Sequence, residues 1–196
     1  EINKIIFICQ KEDVDELNRV IENLLSRPNF PKFTCKVIPI DYITSGPAST
    51  IMLAESYIDN DQGLLIANSD QYINNFDVDN FLTLSNNYDG GIVCFCHDDP
   101  KWSYVRIKNG LIVETAEKNP ISDHATCGIY YFKYGQDFVT GYDLMFLNND
   151  RANNEFYVAP IYNYLMEELN FIPYFVNEMY GIGTPDDLQR YIAKFK

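Results

Sequence analysis

The chain predicts an α/β fold of three layers, α/β/α, with a mixed and mostly parallel sheet, and three observations carry that expectation. Short apolar runs alternate with amphipathic helical stretches through the first half, the β-α-β pattern of a sheet buried on both faces. In the second half three strands follow one another across short turns, adding an antiparallel section. The 196 residues, 46% of them hydrophobic, suit one domain with a sizeable core.

The first strand reads over 4–9, the run Lys4-Ile5-Ile6-Phe7-Ile8-Cys9. A helix over 13–25 follows, with Val14, Leu17, Val20, Ile21, Leu24 and Leu25 on one face, and then a strand over 35–40. Ser45-Gly46-Pro47-Ala48-Ser49 opens a helix over 48–58, with Ile51, Met52, Ala54 and Ile58 inward. The apolar strand 64–67 ends in Asn68-Ser69-Asp70-Gln71, and a helix over 77–86 leads to a strand over 91–96. Strands over 103–108, 111–117 and 125–132 come next, the first pair joined by the hairpin signal Asn109-Gly110. Helices over 135–147 and 155–168, a strand over 171–176 and a helix over 185–195 complete the reading. Thr184, Pro185 and two acids start that last helix as N-cap, first-turn and dipole residues.

A net charge of -13 without a basic stripe argues against nucleic acid or an anionic membrane as partner. Small anionic substrates stay possible, met by local lysines and a divalent cation. Apolar runs are strand-sized, too short to span a bilayer, and no secretory signal is visible. Cys9, Cys35, Cys94, Cys96 and Cys127 lack a disulfide framework and read as free thiols of a reducing, cytoplasmic compartment. The chain opens at Glu1 and enters a strand almost at once, so the expectation is that the true N-terminus lies upstream.

Asp70 is the leading metal candidate, because ligands bind beyond the carboxyl ends of strands in open α/β sheets. One carboxylate there holds Mg²⁺ while phosphates and water supply the other ligands; an Asx turn is the structural alternative. Glu117-Lys118 ends a strand. Lysine holds a phosphate as a point charge and glutamate accepts from sugar hydroxyls, but only if both face one cleft; otherwise they are surface charges. Ser45-Gly46-Pro47-Ala48-Ser49 is a small-residue turn able to approach a base or phosphate, and Trp102-Ser103-Tyr104 offers an aromatic wall or core packing. Asp13/Asp15 and Asp77/Asp79 read as helix-start acids, and Asp59/Asp61 precede their strand on the wrong edge. His97 and His124 lack zinc spacing, and neither a serine elbow nor a Walker loop is present.

Several blocks in order resemble the sugar-phosphate nucleotidyltransferase superfamily, the Rossmann-like fold of nucleotide-diphospho-sugar transferases, and most closely a branch met in bacterial capsule and surface-polysaccharide loci. They are Leu64–Gln71, Asp89–Gly91, Pro100–Tyr104, Ala116–Ser122, Ala125–Phe132, Asn153–Val158 and Gly181–Leu188. The resemblance implies transfer of NMP from an NTP to a sugar 1-phosphate or similar phosphorylated acceptor, with release of pyrophosphate. It implies Mg²⁺ on Asp70, sugar hydroxyls on Glu117, the sugar phosphate on Lys118, and close sugar approach at Gly128. Glu155 would line the sugar site, and Ser45, Gly46 and Ser49 would contact the nucleobase.

Two departures qualify it. The family's opening strand and Gly-x-Gly-x-Arg triphosphate loop have no counterpart here, since 4–9 matches the family's second strand. The expectation is one domain over 1–196 that lacks its triphosphate half. The usual second metal carboxylate is Gly181 here, with Glu178, Asp186 and Asp187 nearby as substitutes. A GT-A glycosyltransferase and a non-catalytic sugar-nucleotide-binding module stand as the alternatives, and a homo-oligomer is left open.

Overall fold

The computed structural model describes residues 2–195. Its centre is a six-stranded mixed sheet built from β3 (Leu64–Ala67), β5 (Gly90–Cys96), β6 (Ser103–Lys108), β7 (Leu111–Glu117), β8 (His124–Phe132) and β9 (Phe171–Phe175). β8 is the spine. One edge pairs antiparallel with β5, and the other pairs with β3 toward its end and with β6 at its start. β9 runs parallel to β5 and β7 antiparallel to β6, so four of the six strands share one direction, with β7 and β8 opposed.

Period-two alternation sorts the sheet's side chains into two cores. Ile92, Cys94, Tyr130 and Phe132 join one cluster, under α2 (Pro47–Ile51), α3 (Glu55–Ile58) and α5 (Gly135–Leu147). Val93, Phe95, Cys127, Ile129 and Tyr131 join the other, beneath Phe81 of α4 (Val78–Ser85). This is the three-layer arrangement that the alternation of elements predicted. No helix of the described residues is long and apolar enough to cross a membrane.

β1 (Lys4–Gln10) and β2 (Thr34–Ile40), joined through α1 (Val14–Leu25), form a separate parallel pair. Ile6, Ile8 and Ile38 pack against the first core, yet no residue of either strand is buried. Among the described residues, β1 pairs only with β2 and β3 only with β8, so each has one edge without a partner strand.

The other differences from the sequence reading are local. The helix read over 48–58 breaks at Ala54 (φ -98°, ψ 10°) into two short helices around a 3-10 turn. The helix read over 155–168 is only a 3-10 segment at Ala159–Tyr164. Its expected start is held extended, because Phe156 donates its N–H to the Ser45 carbonyl (2.8 Å) and its carbonyl accepts from Ala48 N–H (3.0 Å). Just before it Asn153 and Asn154 turn left-handed (φ 49° and 65°) between the bridged pair Ala152 and Glu155. β4 (Gln71–Ile73) and β10 (Met179–Gly181) form an antiparallel ribbon that sequence periodicity did not show, three residues being too short to establish a period. Asp77 accepts from Asn80 N–H as the cap of α4, and Thr184 caps α6 (Pro185–Lys194) through Asp187 N–H, as read.

Candidate active site

A cleft of about 300 Å³ opens beside the end of β3 and the cleft-facing side of β8. Thr126, Gly128 and Tyr130 line it at every second position, as one face of a strand must. Glu117 and Lys118 both line it too, although neighbours on a strand point to opposite faces. The backbone explains this. Lys118 follows the last residue of β7 and is left-handed (φ 51°), which interrupts the alternation, while its N–H is tied to the Trp102 carbonyl (3.0 Å).

Each charge is set by its surroundings. Burial pushes the Glu117 carboxyl up, while the hydrogen bond from Ser103 Oγ and the nearby Lys118 ammonium pull it down. Lys118 Nζ donates to Tyr157 Oη at 2.8 Å, and Tyr157 Oη donates to Glu155 Oε2 at 2.5 Å. That chain raises the Lys118 pKa, first through the Tyr157 bond. Tyr130, fully buried below, bonds Thr126 Oγ1 at 3.0 Å. The result is a carboxylate on a floor of hydroxyls beside an ammonium on a tyrosine tether.

Across the cleft Asp70 stands just after β3, and the Ile182 N–H anchors its carbonyl at 2.8 Å. Gly183 lies close beside it, for a Cβ there would sit 2.3 Å from Asp70 Oδ2 and would displace that carboxylate. Asp187 faces the same strip. Its carboxyl is held down first by the Thr184 hydroxyl (2.8 Å), then by Lys101 (3.5 Å) and Arg190 (3.6 Å). Of the acids near Gly181, Glu178 is paired with Lys194 at 2.9 Å and Asp187 is the one that lines the cleft. No group of three or more His, Cys, Asp or Glu that could cage a metal exists among the described residues. Asp70, an exposed carboxylate in a wide cleft without imidazole or thiolate in its lining, suits Mg²⁺, which keeps its waters and takes phosphate oxygens, and does not suit zinc.

The structure brings Asp70, Glu117, Lys118 and Gly128 together, and it moves other candidates. Tyr104 is fully buried in the second core with its hydroxyl donating to the Asp99 carbonyl (2.7 Å); Ser103, one residue earlier, takes the cleft face. Ser45, Gly46 and Ser49 do not line the cleft. Ser45 is tied to Phe156, a Cβ on left-handed Gly46 would lie 2.6 Å from Phe156 backbone atoms, and Ser49 Oγ bonds Tyr142 Oη at 3.0 Å; only Pro47 of that turn reaches the cleft. Glu155 acts on the cleft through Tyr157. Gly128 (φ 68°) is crowded by its own chain, since a Cβ would meet Asn68 Nδ2 at 2.5 Å. Sequence reasoning missed Tyr157 and Lys101, whereas the aromatic wall it offered at Trp102 does line the cleft. The tyrosine two residues after Glu155 and the lysine beside Trp102 before β6 were the available signals.

A model of the nucleotidyl transferase family matches residues 1–194. Among solved structures, a nucleoside-diphosphate-sugar pyrophosphorylase from Vibrio cholerae RC9 superposes with a TM-score of 0.80 at 25% identity, over 97% of this chain and 81% of its own. A Bacillus anthracis structure assigned to glucose-1-phosphate thymidylyltransferase, in complex with sucrose, gives 0.71 at 21% identity over 97% and 75%. The inositol-1-phosphate CTP transferase from T. maritima gives 0.68 at 12% identity over 98% and 75%, which supports the fold alone. No protein of curated function matches the sequence.

Proposed function

The chain belongs to the nucleotidyl transferase family of enzymes, and from that premise we propose that its cleft is the acceptor half of an active site that transfers NMP from an NTP to a sugar 1-phosphate. The observation that carries this reading is the entry of Glu117 and Lys118 side by side into one cleft that Asp70 also lines. In this reading Lys118 holds the acceptor phosphate, and Tyr157 aims its ammonium. Glu117 accepts from sugar hydroxyls, and Gly128 lines the same cleft. Asp70 would hold Mg²⁺, which supplies charge neutralisation on the triphosphate when bound. An acceptor phosphate oxygen attacks the α-phosphorus, the bond to the leaving pyrophosphate breaks, and no covalent enzyme intermediate is needed. What the protein contributes is alignment and charge.

The unpaired edges of β1 and β3 support a second element of the reading: a strand between them, with the loop that grips the triphosphate, completes the site from outside residues 1–196. The block resemblance supports a cytoplasmic role in capsule or surface-polysaccharide precursor synthesis. The test is incubation of the complete protein with a panel of NTPs and sugar phosphates, reading pyrophosphate. Release that Asp70→Ala abolishes is the expected result. No release with any pair, and ligand binding indifferent to Mg²⁺, would leave a non-catalytic binding module instead.

A further inference from the structure

A second cavity of about 230 Å³ adjoins the cleft, and Lys101, Trp102, Gly181 and Asp187 line both. The junction lies at Gly181. A Cβ there would sit 3.2 Å from the Trp102 ring and 4.0 Å from Asp187 Oδ2, so the bare glycine keeps the passage open. In a chain of net charge -13, this small cavity gathers three cations, Lys101, Arg190 and Lys194. Their charge is only partly met. Asp187 stands 3.5 Å from Lys101 and 3.6 Å from Arg190, and Glu178 takes Lys194. One long contact to a single guanidinium nitrogen leaves most Arg190 donors facing solvent, its side chain being 77% exposed.

We propose that this second cavity is an anion subsite joined to the cleft across Gly181, and that it takes a second phosphate or carboxylate carried by the same acceptor whose first phosphate Lys118 holds. The proposal rests on the sugar-phosphate reading of the cleft and extends it to acceptors charged at both ends. Arg190 supplies a planar fork for an oxyanion and Lys101 spans the junction as a point charge.

Trp102 is the chain's one tryptophan, so its fluorescence reads the junction alone. The native chain is titrated with glucose 1-phosphate, glucose 1,6-bisphosphate and inorganic phosphate. Expected is a bisphosphate affinity about tenfold above that of the monophosphate. Arg190→Gln, a change on an exposed helix face, removes that gain and leaves monophosphate binding unchanged. Gly181→Ala, which narrows the passage, reduces it. Equal affinities in the native chain, or a gain that survives Arg190→Gln, would overturn the proposal. So would a saturable inorganic-phosphate response without any bisphosphate gain, which marks a site for free anions. Loss of the gain alone leaves the cleft reading intact, whereas failure of glucose 1-phosphate to bind at all removes both.

Discussion

β1 and β5 carry similar near-continuous apolar sequence, Ile5-Ile6-Phe7-Ile8 and Ile92-Val93-Cys94-Phe95, yet every β5 residue from Gly90 to Phe95 is buried and none of β1 is. β5 has a partner strand on each edge and a helical layer over both faces; β1 has β2 alone. Apolar composition alone therefore does not produce burial in a sheet. A packed layer over both faces does, as β5 has and β1 lacks. The cleft follows this division, since Glu117, Lys118 and Gly128 belong to the densely paired side and borrow its rigidity.

The comparison breaks most visibly in stability. Phe132→Ala, fully buried in β8, is expected to cost about 3–5 kcal/mol, and Phe7→Ala, half-buried in β1, about 1 kcal/mol. Urea melts of the two variants measure this, and equal losses would dissolve the distinction. Next in size, Asp70→Ala should lower pyrophosphate release by the complete protein on the order of 10²–10³-fold without moving the melt, placing function and stability on different residues of the packed side.

Smaller still, Tyr157→Phe keeps the ring under the Lys118 ammonium (4.8 Å from its centroid) and removes the bond from Nζ. KM for the sugar phosphate should rise about tenfold while the Lys118 pKa falls, read by NMR of the lysine side chain. Least in size is a pH effect. Burial raises the Glu117 pKa, so the folded state binds its proton more tightly than the unfolded chain. Ionised Glu117 then destabilises the fold above that raised value, and the penalty vanishes as pH falls below the unfolded value. Glu117→Gln should be the more stable protein near about pH 7, with the difference fading toward about pH 4. A gap that widens in acid would contradict the sign.

The sequence made the packed side legible and the rest less so, for local reasons. Strands β5 to β8 carried periodicity and a hairpin turn, so their bounds were readable to within a residue. Residues 155–158 carried helical character, but backbone bonds from Phe156 to Ser45 and Ala48 keep the helix from starting there, and such tertiary pairing leaves no local trace. Tyr104 missed the cleft by the parity of one position. Whether Glu117 and Lys118 share a cleft depended on a left-handed φ at a lysine, which no residue type announces. Asp70's place at the cleft was readable because strand ends of open sheets bind ligands, while Lys101 gains meaning only once β10 lies beside it.

The central claim is that the cleft holds a sugar phosphate through Lys118 and Glu117. Isothermal titration of glucose 1-phosphate into the chain and into Lys118→Ala tests it most directly. The account predicts saturable binding by the native chain, weakened at least about tenfold in the variant. Equal affinity in the two, or no binding by either, would contradict it.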